Sequence, residues 1–172
     1  MSRSRLHQGH GDPPSKRAPV VVGVVPQQSA DLVRRAASLA RDMGAGLLCV
    51  WVDGSRALVG QDDDGTLLTT PVDPDQDDDS AVLAEDRLLR HLEDVLAESS
   101  VSWRFVYTVG EVARGLSGVA DQNDAALIVV GTRRPGLAGW MNQLVGGSVA
   151  GRLAHTQHRP VTVIPPATRD SA

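Results

Sequence analysis

Residues 127–166 read LIVVGTRRPGLAGWMNQLVGGSVAGRLAHTQHRPVTVIPP, and the fold is decided in this stretch. Two aliphatic runs of strand length, at 127–130 and 161–164, enclose a glycine-rich loop and an amphipathic segment that reads as a helix over roughly 148–155. The loop closes on Gly146, Gly147 and Ser148. An aliphatic strand that runs into glycines and then into a helix start is how α/β proteins cradle phosphates. Glycines allow close approach of the backbone, and the first turn of the helix presents unpaired N–H groups. Arg133 and Arg134 add positive charge beside them. The plainer reading is a connecting loop whose arginines face water and whose Ser148 caps the helix.

Outward from this stretch the chain alternates. Residues 19–25 (PVVVGVV) form a β-branched run, as expected of a strand buried on both faces. Leu32, Ala36, Leu39 and Met43 recur at helical spacing, and Gly44 stands where that helix would end. Residues 46–52 (GLLCVWV) make a second buried strand. Residues 56–60 and 66–70 flank a turn containing Asp64-Gly65 and suggest a small hairpin. The run DPDQDDD at 73–79 reads as a solvated acidic loop, because it lacks the ligand spacing of a calcium loop.

Ser80 is placed to cap the next helix, whose stripe is Leu88, Leu92, Val95 and Leu96, with Glu85 and Asp86 toward its positive end. Residues 101–108 (VSWRFVYT) alternate like an edge strand with one wetter face. A helix over 110–122 contains Gly115 and Gly118, small residues that allow close contact with the sheet. The order β-α-β-(insert)-α-β-α-β-loop-α-β predicts an α/β protein with a doubly wound parallel sheet.

With 172 residues, 41% hydrophobic and 22% charged, the chain is long enough for one globular domain with a substantial core. Only 3% of residues are aromatic, so aliphatics and alanine must fill that core. A net charge of -4 argues against a general nucleic-acid surface. No apolar run approaches the ~20 residues that span a membrane, and the N-terminus lacks the apolar core of a signal peptide. The lone Cys49, within an aliphatic run, reads as a buried reduced thiol. A cytoplasmic protein without membrane or nucleic-acid partners is expected. Residues 1–18 carry Arg3, Arg5, Lys16 and Arg17 without periodicity and read as a disordered basic tail. His7 and His10 have no further ligand nearby, so no metal site is expected. The domain then spans 19–166, with an acidic insert at about 54–80 and a short tail at 167–172.

In PVVVGVV, GLLCVWVD, AALIVVGT and above all GGSVAGRLAHTQHRPVTVIP, the chain resembles a single domain of the universal stress protein (UspA-like) family. The resemblance covers about residues 19–166 and implies a three-layer fold of the adenine nucleotide alpha-hydrolase-like type. Its five parallel strands would lie in the order 3-2-1-4-5. It also implies a homodimer paired through the last strand, here Val161, Thr162, Val163 and Ile164.

Nucleotide-binding members carry an aspartate after the first strand and a loop of the form Gly-x2-Gly-x9-Gly-Ser/Thr. Here Val25 takes the aspartate position, Gly131 matches the first glycine, and Gly147-Ser148 matches the closing pair. Arg134 falls where the second glycine belongs, and Gly136-x9-Gly146 keeps the spacing in a shifted frame. The nucleotide-contacting set implied is Val25, Gly131, Thr132, Arg133, Gly136, Gly146, Gly147, Ser148 and Val149.

Two functions follow from the resemblance and its departures. One is a dimeric stress-response protein that binds ATP or another adenine nucleotide, with magnesium only as its counter-ion. The other is a nucleotide-independent dimeric interaction module, motivated by Val25 and the lengthened loop. No catalytic residue is expected, and any enzymatic activity would be at most that of a weak ATPase. Ser148 lacks a sequence-adjacent His/Asp arrangement, and His155 and His158 suit the negative end of the last helix.

Overall fold

The structure is a computed structural model that describes residues 5–8, 16–27, 29–61, 63, 67–73, 79–132 and 148–166. Its strands are β1 (Arg5–Gln8), β2 (Val20–Gly23), β3 (Leu47–Asp53), β4 (Arg56–Gln61), β5 (Leu67–Pro71), β6 (Trp103–Val109), β7 (Leu127–Gly131) and β8 (Val161–Ile164). Its helices are α1 (Ala30–Asp42), α2 (Asp79–Leu96), α3 (Val112–Gln122) and α4 (Val149–Thr156). The main sheet runs β1-β6-β3-β2-β7-β8. Setting β1 aside, the five remaining strands are parallel and stand in the expected 3-2-1-4-5 order.

The pleat of the sheet explains the aliphatic runs. Val20, Val22, Cys49, Trp51, Phe105 and Val129 point to one face and pack with Leu32, Val33, Ala36, Leu88 and Leu92 of α1 and α2. Val21, Leu48, Val50, Val106, Ile128 and Val130 point to the other and meet Ala113, Leu116, Val119 and Leu153 of α3 and α4. Every residue of β3 is buried, as a central strand covered by helices on both faces requires. Burial pushes the Cys49 thiol up to about 12, so the expected inert thiol is what the fold holds.

Helix ends follow their local chemistry. Gly44, at φ +63°, follows α1, with its N–H bonded to Arg41 O at 2.9 Å and the Ala45 N–H bonded to Ala40 O at 2.8 Å. This Schellman pair satisfies carbonyls the helix leaves open. The end of α3 repeats the pattern with Asp124 at φ +47° and Ala125 N bonded to Ala120 O at 2.9 Å. Gly115 confirms the close helix–sheet contact expected of it, since a Cβ there would lie 2.7 Å from Val52 Cγ1. Gly118 has nothing within 4 Å and makes no such contact.

Four expectations are corrected. Residues 5–8, placed in a disordered tail, form the strand β1, antiparallel to β6. The open N–H and C=O row of the sheet edge supplies the pairing that the segment's composition does not announce. In consequence β6 is not the edge of the described sheet. It is not wet on one face either, because Trp103, Phe105, Val106, Tyr107 and Thr108 are all buried. Helix α2 begins at Asp79, so Ser80 lies within its first turn instead of capping it. Helix α3 begins at Val112, because Glu111 caps it by accepting from the N–H groups of Ala113 and Arg114 at 2.9 Å each. The expected hairpin is present as β4 and β5, with a register shift between Leu58 and Gly60.

Candidate functional site

The chain leaves β2 toward β3 on one side of the sheet and later returns to β7 on the other. The strand order therefore reverses between β2 and β7, and a crevice outside their carboxyl ends is where open α/β sheets bind ligands. Val24 is buried beneath that crevice, while Val25 is 46% exposed at its rim and offers only aliphatic carbon. Gln27 follows at φ +63°, a left-handed turn that redirects the chain toward α1.

Opposite stands Gly131, the last residue of β7. A Cβ at this position would lie 3.2 Å from Leu32 Cδ2, so the strand end sits close against the start of α1. The Thr132 N–H extends the pairing to β8 by donating to Ile164 O at 3.1 Å, which leaves its side chain exposed. Ser148 resumes the described chain as the N-cap of α4, its hydroxyl accepting from the Gly151 N–H at 3.1 Å. Val149 opens the helix half-buried against the α3–α4 side of the core. The Arg152–Glu111 ion pair, at 3.5 Å, joins the first turns of α4 and α3. Of the expected nucleotide-contacting residues, Val25, Gly131 and Thr132 lie at or just past the carboxyl ends of the adjacent strands β2 and β7, and Ser148 and Val149 stand at the start of α4. Arg133, Gly136, Gly146 and Gly147 lie outside the described residues, as does Arg134.

A second polar group lies one strand away and went unread in the sequence. Asp53, which ends β3 and is 2% exposed, accepts from the Ser55 N–H at 2.9 Å, the Ser55 hydroxyl at 2.6 Å and the Tyr107 hydroxyl at 3.3 Å. Tyr107 stands edge-on to Trp51, with ring centroids 5.0 Å apart. Burial, reinforced by the Asp53 charge and opposed by Arg56, raises the Tyr107 phenol well above its ordinary range. Arg56, itself buried, donates to Thr69 Oγ1 at 2.8 Å and Thr69 O at 3.1 Å across the hairpin. Asp53 thereby fixes the base of the hairpin and is committed to protein donors. The available signal was the carboxylate ending an otherwise apolar strand, since an acid at that depth must find donors.

His155 and His158 are exposed at the C-terminal end of α4, one helix length from Ser148. Among the described residues no three His, Cys, Asp or Glu side chains are grouped to hold a metal ion. Nor is any helix among them long and apolar enough to cross a membrane. At the far edge of the sheet β8 pairs with β7 from Ile128↔Val161 to Gly131↔Ile164, and among the described residues its other edge has no strand partner.

The fold is a doubly wound α/β domain whose strand order reverses between β2 and the glycine-ended β7. A model of the universal stress protein family matches residues 16–165, and the chain belongs to that family. Among similar solved structures is a universal stress protein from Archaeoglobus fulgidus in complex with dAMP. It is 20% identical with a TM-score of 0.58, over 86% of this chain and 97% of that one. A family protein from Burkholderia pseudomallei is 22% identical with a TM-score of 0.59, over 89% and 99% of the two chains. A universal stress protein in complex with cAMP is 22% identical with a TM-score of 0.56, over 87% and 98%. Among curated protein sequences none matches the chain.

Proposed function

We propose that this chain is a dimeric regulatory protein of the stress response that binds an adenine nucleotide in the crevice between β2 and β7. The reading is carried by Gly131 and Ser148, a strand end without a side chain and a capped helix start. Backbone N–H groups at such a helix start favour a phosphate. The dAMP and cAMP complexes of similar proteins support adenine as the base. ATP is the first ligand to try, with magnesium as its counter-ion only.

The chain's role toward the nucleotide is binding, with hydrolysis slow at most. The acids near the crevice are already used, Glu111 as a helix cap and Asp53 by Ser55 and Tyr107. The histidines lie at the opposite end of α4. A competing reading, a nucleotide-independent interaction module, is favoured by Val25, which leaves the rim without a carboxylate acceptor.

Isothermal titration with ATP and magnesium separates the two. Saturable heat in the micromolar range that weakens on Gly131→Val supports nucleotide binding, and no heat at high micromolar ligand refutes it. The dimer proposed here pairs the free edge of β8, where Val163 is 44% exposed and no charged side chain interrupts the strand. Sedimentation of a monomer at micromolar concentration would refute that pairing.

A further inference from the structure

We propose that the groove between α1 and the end of α2 is a binding site for a small zwitterion, an α-amino acid with an apolar side chain. The two helices leave a cavity of about 190 Å³ there, room for roughly six water molecules at ~30 Å³ each. Its floor is apolar, since Ala37 and Leu96 are buried and Val95 packs against the same core. Its walls carry unpaired charges of both signs, Arg34 from α1 and Glu98 from the turn after α2. Among the described residues neither side chain makes a hydrogen bond or an ion pair. Opposite charges that line one cavity without meeting each other are both left for a ligand. A guanidinium pairs best with a carboxylate, which it can hold through two N–H groups, and a carboxylate accepts from an ammonium.

The neutral groups of the rim favour the same ligand. Ser38 Oγ accepts from Arg41 Nη2 at 3.0 Å, and Ser99 Oγ accepts from the Val101 N–H at 3.3 Å. Each hydroxyl therefore keeps its proton to donate, and with Arg34 the two form a donor set suited to a ligand carboxylate. Arg41 adds positive charge but is already engaged by Ser38 and, at 3.6 Å, by Asp42. Glu98 separates a zwitterion from a plain anion, because it attracts an ammonium and repels a second negative charge. A branched aliphatic side chain such as that of leucine suits the floor of Ala37, Val95 and Leu96, where its burial adds a hydrophobic contribution. Arg34 and Glu98 are exposed, so water and salt screen both charges and the affinity is modest. Helices α1 and α2 run down to the amino ends of β3 and β6, the opposite end of the sheet from the carboxyl ends of β2 and β7. The proposal therefore stands apart from nucleotide binding.

L-Leucine titrated into the full chain and followed by saturation-transfer NMR is expected to bind with a dissociation constant of about 1 mM or below. Arg34→Gln and Glu98→Gln, both at exposed positions, should leave the thermal midpoint unchanged and each weaken leucine at least fivefold. Isocaproate, which is leucine without its ammonium, is expected to bind the parent more weakly than leucine does and to bind more tightly after Glu98→Gln. No saturable binding of leucine at ~10 mM overturns the proposal. Leucine binding that ignores either substitution overturns it too, since the zwitterion needs both charges. Isocaproate binding the parent as tightly as leucine would make the groove a plain anion site and overturn the assignment.

Discussion

Replacing Gly115 by alanine sets two effects of known sign against each other. Glycine within a helix costs ~0.5–1 kcal/mol relative to alanine, so propensity alone predicts stabilisation of that size. The new methyl would, however, lie 2.7 Å from Val52 Cγ1, 2.8 Å from Cγ2 and 3.3 Å from Cβ. Val52 is 4% exposed on β3, and its branched side chain presents both methyls to α3, so a rotamer change does not clear the space. Overpacking of this kind typically costs ~1–3 kcal/mol. The net expectation is that Gly115→Ala destabilises by about 1–2 kcal/mol, read as a lower urea midpoint at unchanged slope. Gly118→Ala, in the same helix with open space around it, is expected to stabilise by ~0.5–1 kcal/mol. Val52→Ala should convert the Gly115→Ala loss into a gain, and the cycle should show coupling of ~1 kcal/mol or more. A Gly115→Ala protein at least as stable as the parent, or no coupling to Val52, would refute the contact.

Asp124 holds the position past α3 at φ +47°, a conformation that glycine adopts without the penalty of a Cβ. Asp124→Gly is expected to raise stability by ~0.5 kcal/mol, measured by thermal unfolding. Tyr107 is the only tyrosine, so phenolate absorbance titrates it alone. Its pKa is raised on folding, so its contribution to stability is complete below the unfolded value near ~10 and falls as pH rises beyond it. Tyr107→Phe should flatten the alkaline loss while costing ~1 kcal/mol at neutral pH for the hydrogen bond to Asp53. An unaltered alkaline limb would assign that loss to other groups. Cys49, fully buried with its thiol pushed up to about 12, should react with a thiol reagent only as fast as the protein opens. Rapid labelling under native conditions would contradict the packing around β3.

The parts of the fold visible in the sequence are those whose signal is local. Strands such as LLCVWVD announce themselves because burial on both faces demands a continuous apolar run, and α1 announces itself by spacing and by Gly44. What escaped depends on partners far along the chain. Asp53 and Tyr107 stand 54 residues apart, and nothing near either one reveals that the acid finishing β3 is held by the phenol of β6. The strand at Arg5–Gln8 escaped for the same reason, since a basic, aperiodic segment becomes a strand only where an edge waits for it. Helix α2 starts two residues before the position a Ser80 cap implies, because Asp79 and Ser80 are both reasonable residues for the start of a helix. At the candidate site the sequence marked Gly131 and Ser148 by their places beside strand and helix. It also marked Val25 as the point where a carboxylate acceptor is missing.

The hairpin of β4 and β5 shortens the path between β3 and α2. Without it, the long connection from Asp53 to Asp79 would have to close as one flexible loop during folding. Its first ladder rung, Arg56↔Pro71, and the bond from the Val72 N–H to Ser55 O at 2.8 Å bring the two ends of the insert together. The segment left to close is roughly a third as long, which lowers the closure entropy by about 1 kcal/mol. A local ribbon thus lowers the entropic cost of joining β3 to α2, and the hairpin acts as a splint between them.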